Sequence, residues 1–279
     1  MALFQPFDPD GVPGRRQLRP LPPVPVRLVL PNLITLLALC AGLTSIRMAA
    51  EQQFALAIVF ITIAAALDGI DGRMARFLKS TSRFGAELDS ITDFLNFGVA
   101  PAVLMYLWAL EDLKSLGWIA ALIFAICAAL RLARFNVALD NPEQPGWKAG
   151  FFVGVPAPAG AMIVMLPLYL ELVGLPHSVL TAPLTFVYAV AIGLLMVSKL
   201  PTWSGKITGT RMRRDLVAPL FVFGVLVVAF LVSFPFLTMS VLSLAYLGAL
   251  PLSWRSYQRQ AANGAGQPAG AATSQVRVL

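Results

Sequence analysis

The sequence predicts an all-α, polytopic membrane protein: a bundle of about eight transmembrane helices with both termini in the cytoplasm. Three features lead to it. Hydrophobic residues make up 58% of the 279 residues and charged residues only 13%, and the mean hydropathy is +0.76, which excludes an ordinary soluble domain. Apolar runs close to the roughly 20 residues needed to cross a bilayer recur along the chain. The basic residues, finally, fall on alternate connections between those runs, as the positive-inside rule requires.

Taken in order, residues 1–27 combine repeated proline (Pro6 to Pro25) with Arg15, Arg16, Arg19 and Arg27. Repeated proline forbids a continuous helix, so this reads as an extended basic tail against anionic headgroups. No apolar run precedes residue 28, and no cleavable signal peptide is expected. A membrane domain follows over 28–253. Its expected spans are 28–49, 52–76, 86–110, 115–138, 152–173, 177–198, 216–233 and 236–253, the last two joined by a tight turn at Ser233-Phe234-Pro235. Residues 254–279, rich in Ala, Gly and Gln toward the end, read as a disordered cytoplasmic tail.

With the N-terminus inside, all 21 basic residues except Arg47 and Lys114 fall on cytoplasmic segments or the adjoining helix ends. That distribution accounts for the net charge of +7 through membrane topology and anionic lipid, not nucleic acid. The expected location is the inner (cytoplasmic) membrane. Cys40 and Cys127 both lie inside apolar runs and read as small core residues in a reduced setting. His177, the only histidine, falls on the outer side, which leaves no histidine for the chemistry.

The stretch from Asp68 to Asp93, DGIDGRMARFLKSTSRFGAELDSITD, is where chemistry concentrates. Asp68 and Asp71 are three apart, Asp89 and Asp93 four apart, so each pair shares a helix face. A carboxylate in a spanning helix costs roughly 2.5–3.5 kcal/mol, and four cost on the order of 10 kcal/mol if uncompensated. Arg73, Arg76, Lys79 and Arg83 are the nearby cations, and the last two reach the headgroup region. Helix caps and surface ion pairs would not require four aspartates on two converging faces. Clustered carboxylates point to hard cations with oxygen ligands, with paired Mg²⁺ or Mn²⁺ fitting best. Such a pair suits phosphoryl or phosphatidyl transfer. The acidic end faces the cytoplasm, with Asp68 about 12 Å deep at 1.5 Å per residue.

The spacing D-x2-D-G-x2-A-R-x8-G-x3-D-x3-D resembles the signature of the CDP-alcohol phosphotransferase family at all of its fixed positions. PNLITLLALCAGLTS from Pro31, FGVAPA from Phe97, RLARFN from Arg131 and GVPAPAGA from Gly154 are similar to the branch that uses CDP-diacylglycerol and L-serine. The resemblance implies that Asp68, Asp71, Asp89 and Asp93 hold two divalent metals and that Asp93 takes the proton from the acceptor hydroxyl. It implies a CDP site at Asp68, Gly72, Ala75, Arg76 and Gly85. There the small residues let the nucleotide approach the backbone, or simply let helices pack, and Arg76 pairs with a phosphate or a lipid headgroup. Arg131 and Arg134 share a face, and with Asn136 they are the candidates for the acceptor's carboxylate, unless they only set topology. Lys199, Lys206 and Arg211 are further candidates for phosphate or headgroup contact. A homodimer is the family expectation. Two other readings keep some of these features: an acceptor bearing phosphate (glycerol 3-phosphate or an inositol phosphate), and a cation transporter using intramembrane aspartates.

Overall fold

The structure, a computed structural model, describes residues 26–78, 82–139, 151–203 and 214–264. The basic tail over 1–25, the loops that carry Lys79, Lys148, Lys206 and Arg211, and residues 265–279 lie outside these. Among the described residues the architecture is a helical bundle with one short two-stranded ribbon. Its elements are α1 (Val26–Ala50), α2 (Phe54–Phe77), α3 (Arg83–Phe94), a π-helical segment (Leu95–Val99), α4 (Ala100–Trp108), a 3₁₀ turn (Leu110–Leu113) and α5 (Ser115–Leu139). There follow β1 (Phe151–Val153), α6 (Ala157–Val164), α7 (Leu166–Val173), α8 (Thr181–Val197), β2 (Pro201–Trp203), α9 (Arg214–Ser233) and α10 (Pro235–Gly264).

Among the described residues, five helical stretches are long and apolar enough to cross a membrane: Val29–Ala50, Phe54–Met74, Arg83–Trp108, Ser115–Ala138 and Pro235–Ser256. Three shorter apolar ones, Ala157–Val173, Thr181–Val197 and Phe221–Ser233, fall on the remaining expected spans. Large apolar side chains such as Leu33, Ile63, Ile126, Leu184 and Phe221 stay exposed, as they must when lipid, not water, is the solvent.

α1 and α2 share the most extensive interface. The buried stripe of α1 runs through Thr35, Ala38, Ser45 and Ala49, and that of α2 through Ala57, Ile61 and Ala64. Small side chains let the two backbones close up, and Ser45 Oγ donates to Ala57 O across the gap at 2.9 Å. Continued at helical spacing, the α2 stripe arrives at Asp68 and Asp71. The motif aspartates are therefore on the inward face, four and seven residues past Ala64.

Three local features depart from the expected spans. The stretch expected as one helix over 86–110 carries the π segment, in which Ala100 N–H reaches back to Leu95 O. Pro101 has no N–H to return to Phe97 O, so the register shifts there instead of continuing. The span over 152–173 is split into β1, α6 and α7. Pro167 removes the donor owed to Ile163 O, and the Tyr188 hydroxyl donates to that carbonyl at 2.8 Å. α10 continues to Gly264, past the expected boundary at 253, because SWRSYQRQAA contains good helix formers and no breaker.

β1 and β2 pair antiparallel, Phe151 opposite Trp203 and Val153 opposite Pro201. Gly154 closes the ribbon at φ +79°, and a Cβ there would overlap Met196 O, so only glycine fits. Cys127 is buried as expected, but Cys40 is exposed. It sits on the outward face of α1 and not in the core.

Candidate active site

Four helices converge on the aspartates: the first half of α1, the last turns of α2, the middle and end of α3, and the second half of α5. Side-chain oxygens of Asp68, Asp71 and Asp89 lie within 4.8 Å of one another. Asp71 is buried, 4% exposed, and accepts a 2.6 Å hydrogen bond on Oδ2 from the Thr35 hydroxyl of α1. Asp93 stands beside the three, side chain to side chain with Asp68 and within reach of the charges of Asp89 and Asp71. Its Oδ1 is buried and makes no hydrogen bond. Among the described residues, no Lys or Arg forms a salt bridge with any of these aspartates. The ion pairs are Arg47–Glu51 and His177–Glu171, both outside the cluster.

Several carboxylates close together, one with an orphaned buried oxygen and, among the described residues, none in a salt bridge, are an electrostatic arrangement that a divalent metal would complete. The donor set is all oxygen, which suits Mg²⁺ or Mn²⁺ and not a soft metal.

The surrounding residues are sorted by the structure. A Cβ on Gly72 would meet nothing within 4 Å, so this position faces open space and not a packed helix. Gly85 is different. Its Cβ would come within 2.9 Å of Asn32 Oδ1, and its N–H donates to Ser82 Oγ, the N-cap of α3, at 3.0 Å. Gly85 thus lets α3 start close against α1. Arg76 is exposed at the end of α2, and Lys199 is exposed beyond α8. The backbone at Ala75 continues α2, and its side chain lies outside the described set.

RLARFN lies in the last turns of α5, and its polar side chains meet different partners. Arg131 is buried, 8% exposed, its guanidinium 5.2 Å from the Phe135 ring centroid and its charge within reach of Asp93. Arg134 turns to the last carbonyls of α8, donating to Val197 O at 2.8 Å and Ser198 O at 3.3 Å. Asn136 Nδ2 donates to Ser90 Oγ at 3.0 Å, tying α5 to α3 next to Asp89. Far from the aspartates, His177 Nδ1 meets Glu171 Oε2 at 2.7 Å and its ring packs edge-on against Trp108.

Thr35 and Asn32 join this site from α1 without any signal in the aspartate motif. In sequence they are a pair of polar residues three apart on one helical face, inside the stretch from Pro31 that carries part of the resemblance.

A helical membrane bundle with an acidic, all-oxygen cluster of this spacing at one end defines a class: membrane-embedded transferases acting on phosphate esters. Residues 28–212 match the family profile of CDP-alcohol phosphatidyltransferase, and residues 215–251 match that of CDP-alcohol phosphatidyltransferase 2. The chain belongs to the CDP-alcohol phosphatidyltransferase family. Among its relatives is a CDP-diacylglycerol–serine O-phosphatidyltransferase of Mycobacterium leprae (strain TN), 53% identical over 144 residues, 52% of this chain and 48% of the relative. One of the same name from Mycobacterium bovis (strain ATCC BAA-935 / AF2122/97) is 40% identical over 230 residues, 82% of this chain and 79% of the relative. Another, from Helicobacter pylori (strain ATCC 700392 / 26695), is 34% identical over 178 residues, 64% of this chain and 73% of the relative. The match spans about half the length of the Mycobacterium leprae protein and about four fifths of the Mycobacterium bovis one.

Proposed function

We propose that this chain transfers the phosphatidyl group of CDP-diacylglycerol to the hydroxyl of L-serine, giving phosphatidylserine and CMP. The observation that carries the reading is the acidic cluster of Asp68, Asp71 and Asp89 with Asp93 against it, in a chain whose relatives carry that activity in their names. The four aspartates would hold two divalent ions, Mg²⁺ or Mn²⁺, which would supply positive charge to the pyrophosphate oxygens. The open face of α2 at Gly72 admits the nucleotide, and Arg76 pairs with its phosphate.

Asp93 takes the proton from the serine hydroxyl, whose oxygen attacks the β-phosphorus bonded to diacylglycerol. The bond from that phosphorus to the bridging oxygen breaks, and CMP leaves. The base assignment draws support from the buried, unpartnered Oδ1 of Asp93. A hydroxyl proton is the group that oxygen lacks. Arg131, buried beside Asp93, offers the serine carboxylate a two-pronged donor. Asn136 and Arg134 hold α5 in place against α3 and α8. The site faces the cytoplasm from the inner membrane, and the enzyme works as a homodimer.

The test is CMP release by the purified protein from CDP-diacylglycerol, with and without L-serine and with and without divalent metal. Release that needs both supports the reading. Full activity in excess chelator removes the metals from it. Release with glycerol 3-phosphate and none with serine changes the acceptor.

A further inference from the structure

Between the π segment and α4 on one side and α5 on the other runs a groove of about 370 Å³, lined by aliphatic and aromatic side chains. Ala121, Ala125 and Ala129, four apart on α5, lie along it, and Trp118 and Leu130 mark its extent on that helix. Those two are twelve positions apart, about 18 Å at 1.5 Å per residue. That is close to the roughly 15 Å of one leaflet's hydrocarbon, half of the bilayer core. The inner end of the groove adjoins the acidic site. Phe94 follows Asp93 and Leu130 precedes Arg131. Consecutive helical residues lie about 100° apart around the axis, so groove and site occupy neighbouring faces of the same two helices at one depth. Phe94 is packed down at this threshold: a Cβ on Gly98 would come within 3.0 Å of Phe94 Cδ2 and 3.1 Å of Ala128 Cβ. At the far end Trp118 stands edge-on to Tyr106, ring centroids 5.2 Å apart.

We propose that this groove holds one acyl chain of CDP-diacylglycerol, with Trp118 at the far end of the chain. The inference rests on the proposed function and names the part of the donor lipid that the bundle grips. Depth decides the occupant. Asp93 is ten residues past Arg83, the first residue of α3, about 15 Å along the helix. An ordinary leaflet lipid keeps its phosphate among the headgroups, so its chain begins shallower than Phe94. A lipid whose pyrophosphate is drawn down to the aspartates has its glycerol near Phe94 and its chain beyond, where the groove runs. Entry of that chain from the bilayer desolvates no polar side chain of the walls.

CMP release is measured with the full chain in mixed micelles at saturating L-serine, using dioctanoyl and dipalmitoyl CDP-diacylglycerol. The shorter chain reaches only the inner half of the groove. Ala121→Phe fills the outer half, and Trp118→Ala removes its far wall. Each should raise the KM for the dipalmitoyl donor about tenfold or more, as when two or more methylenes leave an apolar site. The KM values for the dioctanoyl donor and for serine should stay within twofold. Trp118 is 46% exposed, so trimming it leaves the core intact and keeps the test open should Ala121→Phe not fold. An unchanged dipalmitoyl KM in Trp118→Ala overturns the proposal, and so does an equal rise for both donors, which marks a packing defect. Loss of a dimer in Ala121→Phe without a chain-length effect assigns the groove to a second copy and also overturns it. In each case the proposed function stands if the parent releases CMP only with serine and metal. A parent that does not do so removes that function, and the acyl-chain site with it.

Discussion

One short contact in the acidic cluster belongs to a residue outside the aspartate motif. Thr35 Oγ1 stands 2.6 Å from Asp71 Oδ2 and also lies 3.1 Å from Pro31 O, one turn back in its own helix. A hydrogen bond to an ionised group contributes roughly 1.5–3 kcal/mol, and here it fixes the Asp71 carboxylate beside Asp68 and Asp89. Partners of metal-binding groups typically cost 10–100-fold in metal affinity when removed. Thr35→Val should therefore weaken Mn²⁺ binding by about that factor, read by calorimetry without substrate, and Thr35→Ser should restore most of it. Asp93→Asn tests a different role. It should lower transfer by about 10²–10⁴, the usual worth of a general base, while CDP-diacylglycerol binding changes little. Near-normal turnover in that variant would remove Asp93 as the base. Asp93 was legible because four carboxylates at helical spacing, flanked by apolar runs, are too costly to keep without a cation to hold. Thr35 was not, because a single threonine in an apolar run has no period of its own.

Two elements hold the site by means that depend on the whole chain. The π segment places Asn96 in the interior, where its Nδ2 donates to Ala38 O at 3.2 Å, and a Cβ on Gly42 would overlap Asn96 Oδ1. Overpacking a filled site costs about 1–3 kcal/mol. Gly42→Ala should lower the melting temperature by several degrees and reduce activity, since Asp93 sits one turn before Asn96. Adding Asn96→Ala should recover part of the stability, because neighbours in contact are not additive. The end of α8 gives the second case. Arg134 donates to its last carbonyls, a favourable place for a cation, and Lys cannot reproduce that fork. Arg134→Lys should cost stability with a serine KM close to the parent's, whereas Arg131→Lys should raise that KM. Serine KM and melting temperature measured on both variants decide it. From RLARFN alone the two arginines were equivalent, sharing one face; which of them meets a helix end depends on where α8 stops.

At the scale of the molecule, the aspartates, Arg131 and the ribbon gather at one end of the bundle, and Gln52, Lys114 and His177 lie at the other. The charge bias predicts the orientation in the membrane, which is open to direct measurement. In a chain with Cys40 and Cys127 replaced by Ala, a single cysteine at Lys114 should react with an impermeant maleimide applied outside intact cells. One at Arg83 should react only after the membrane is opened. The reverse pattern would place the acidic end outside.

The membrane class, the positions of the apolar helices, the family and the acidic motif can all be read from the amino-acid order. Each of these is written in composition or in short spacings, where lipid, helix geometry and metal chemistry act locally. Which oxygens meet is settled by the fold alone. Packing brings Thr35 to Asp71 across 36 positions of sequence, turns Arg134 toward the end of α8, and shifts the register of one expected span at Pro101 and splits another at Pro167. Those outcomes follow from small-residue stripes closing between distant helices. Such stripes look alike in sequence, and their register is set by everything they touch.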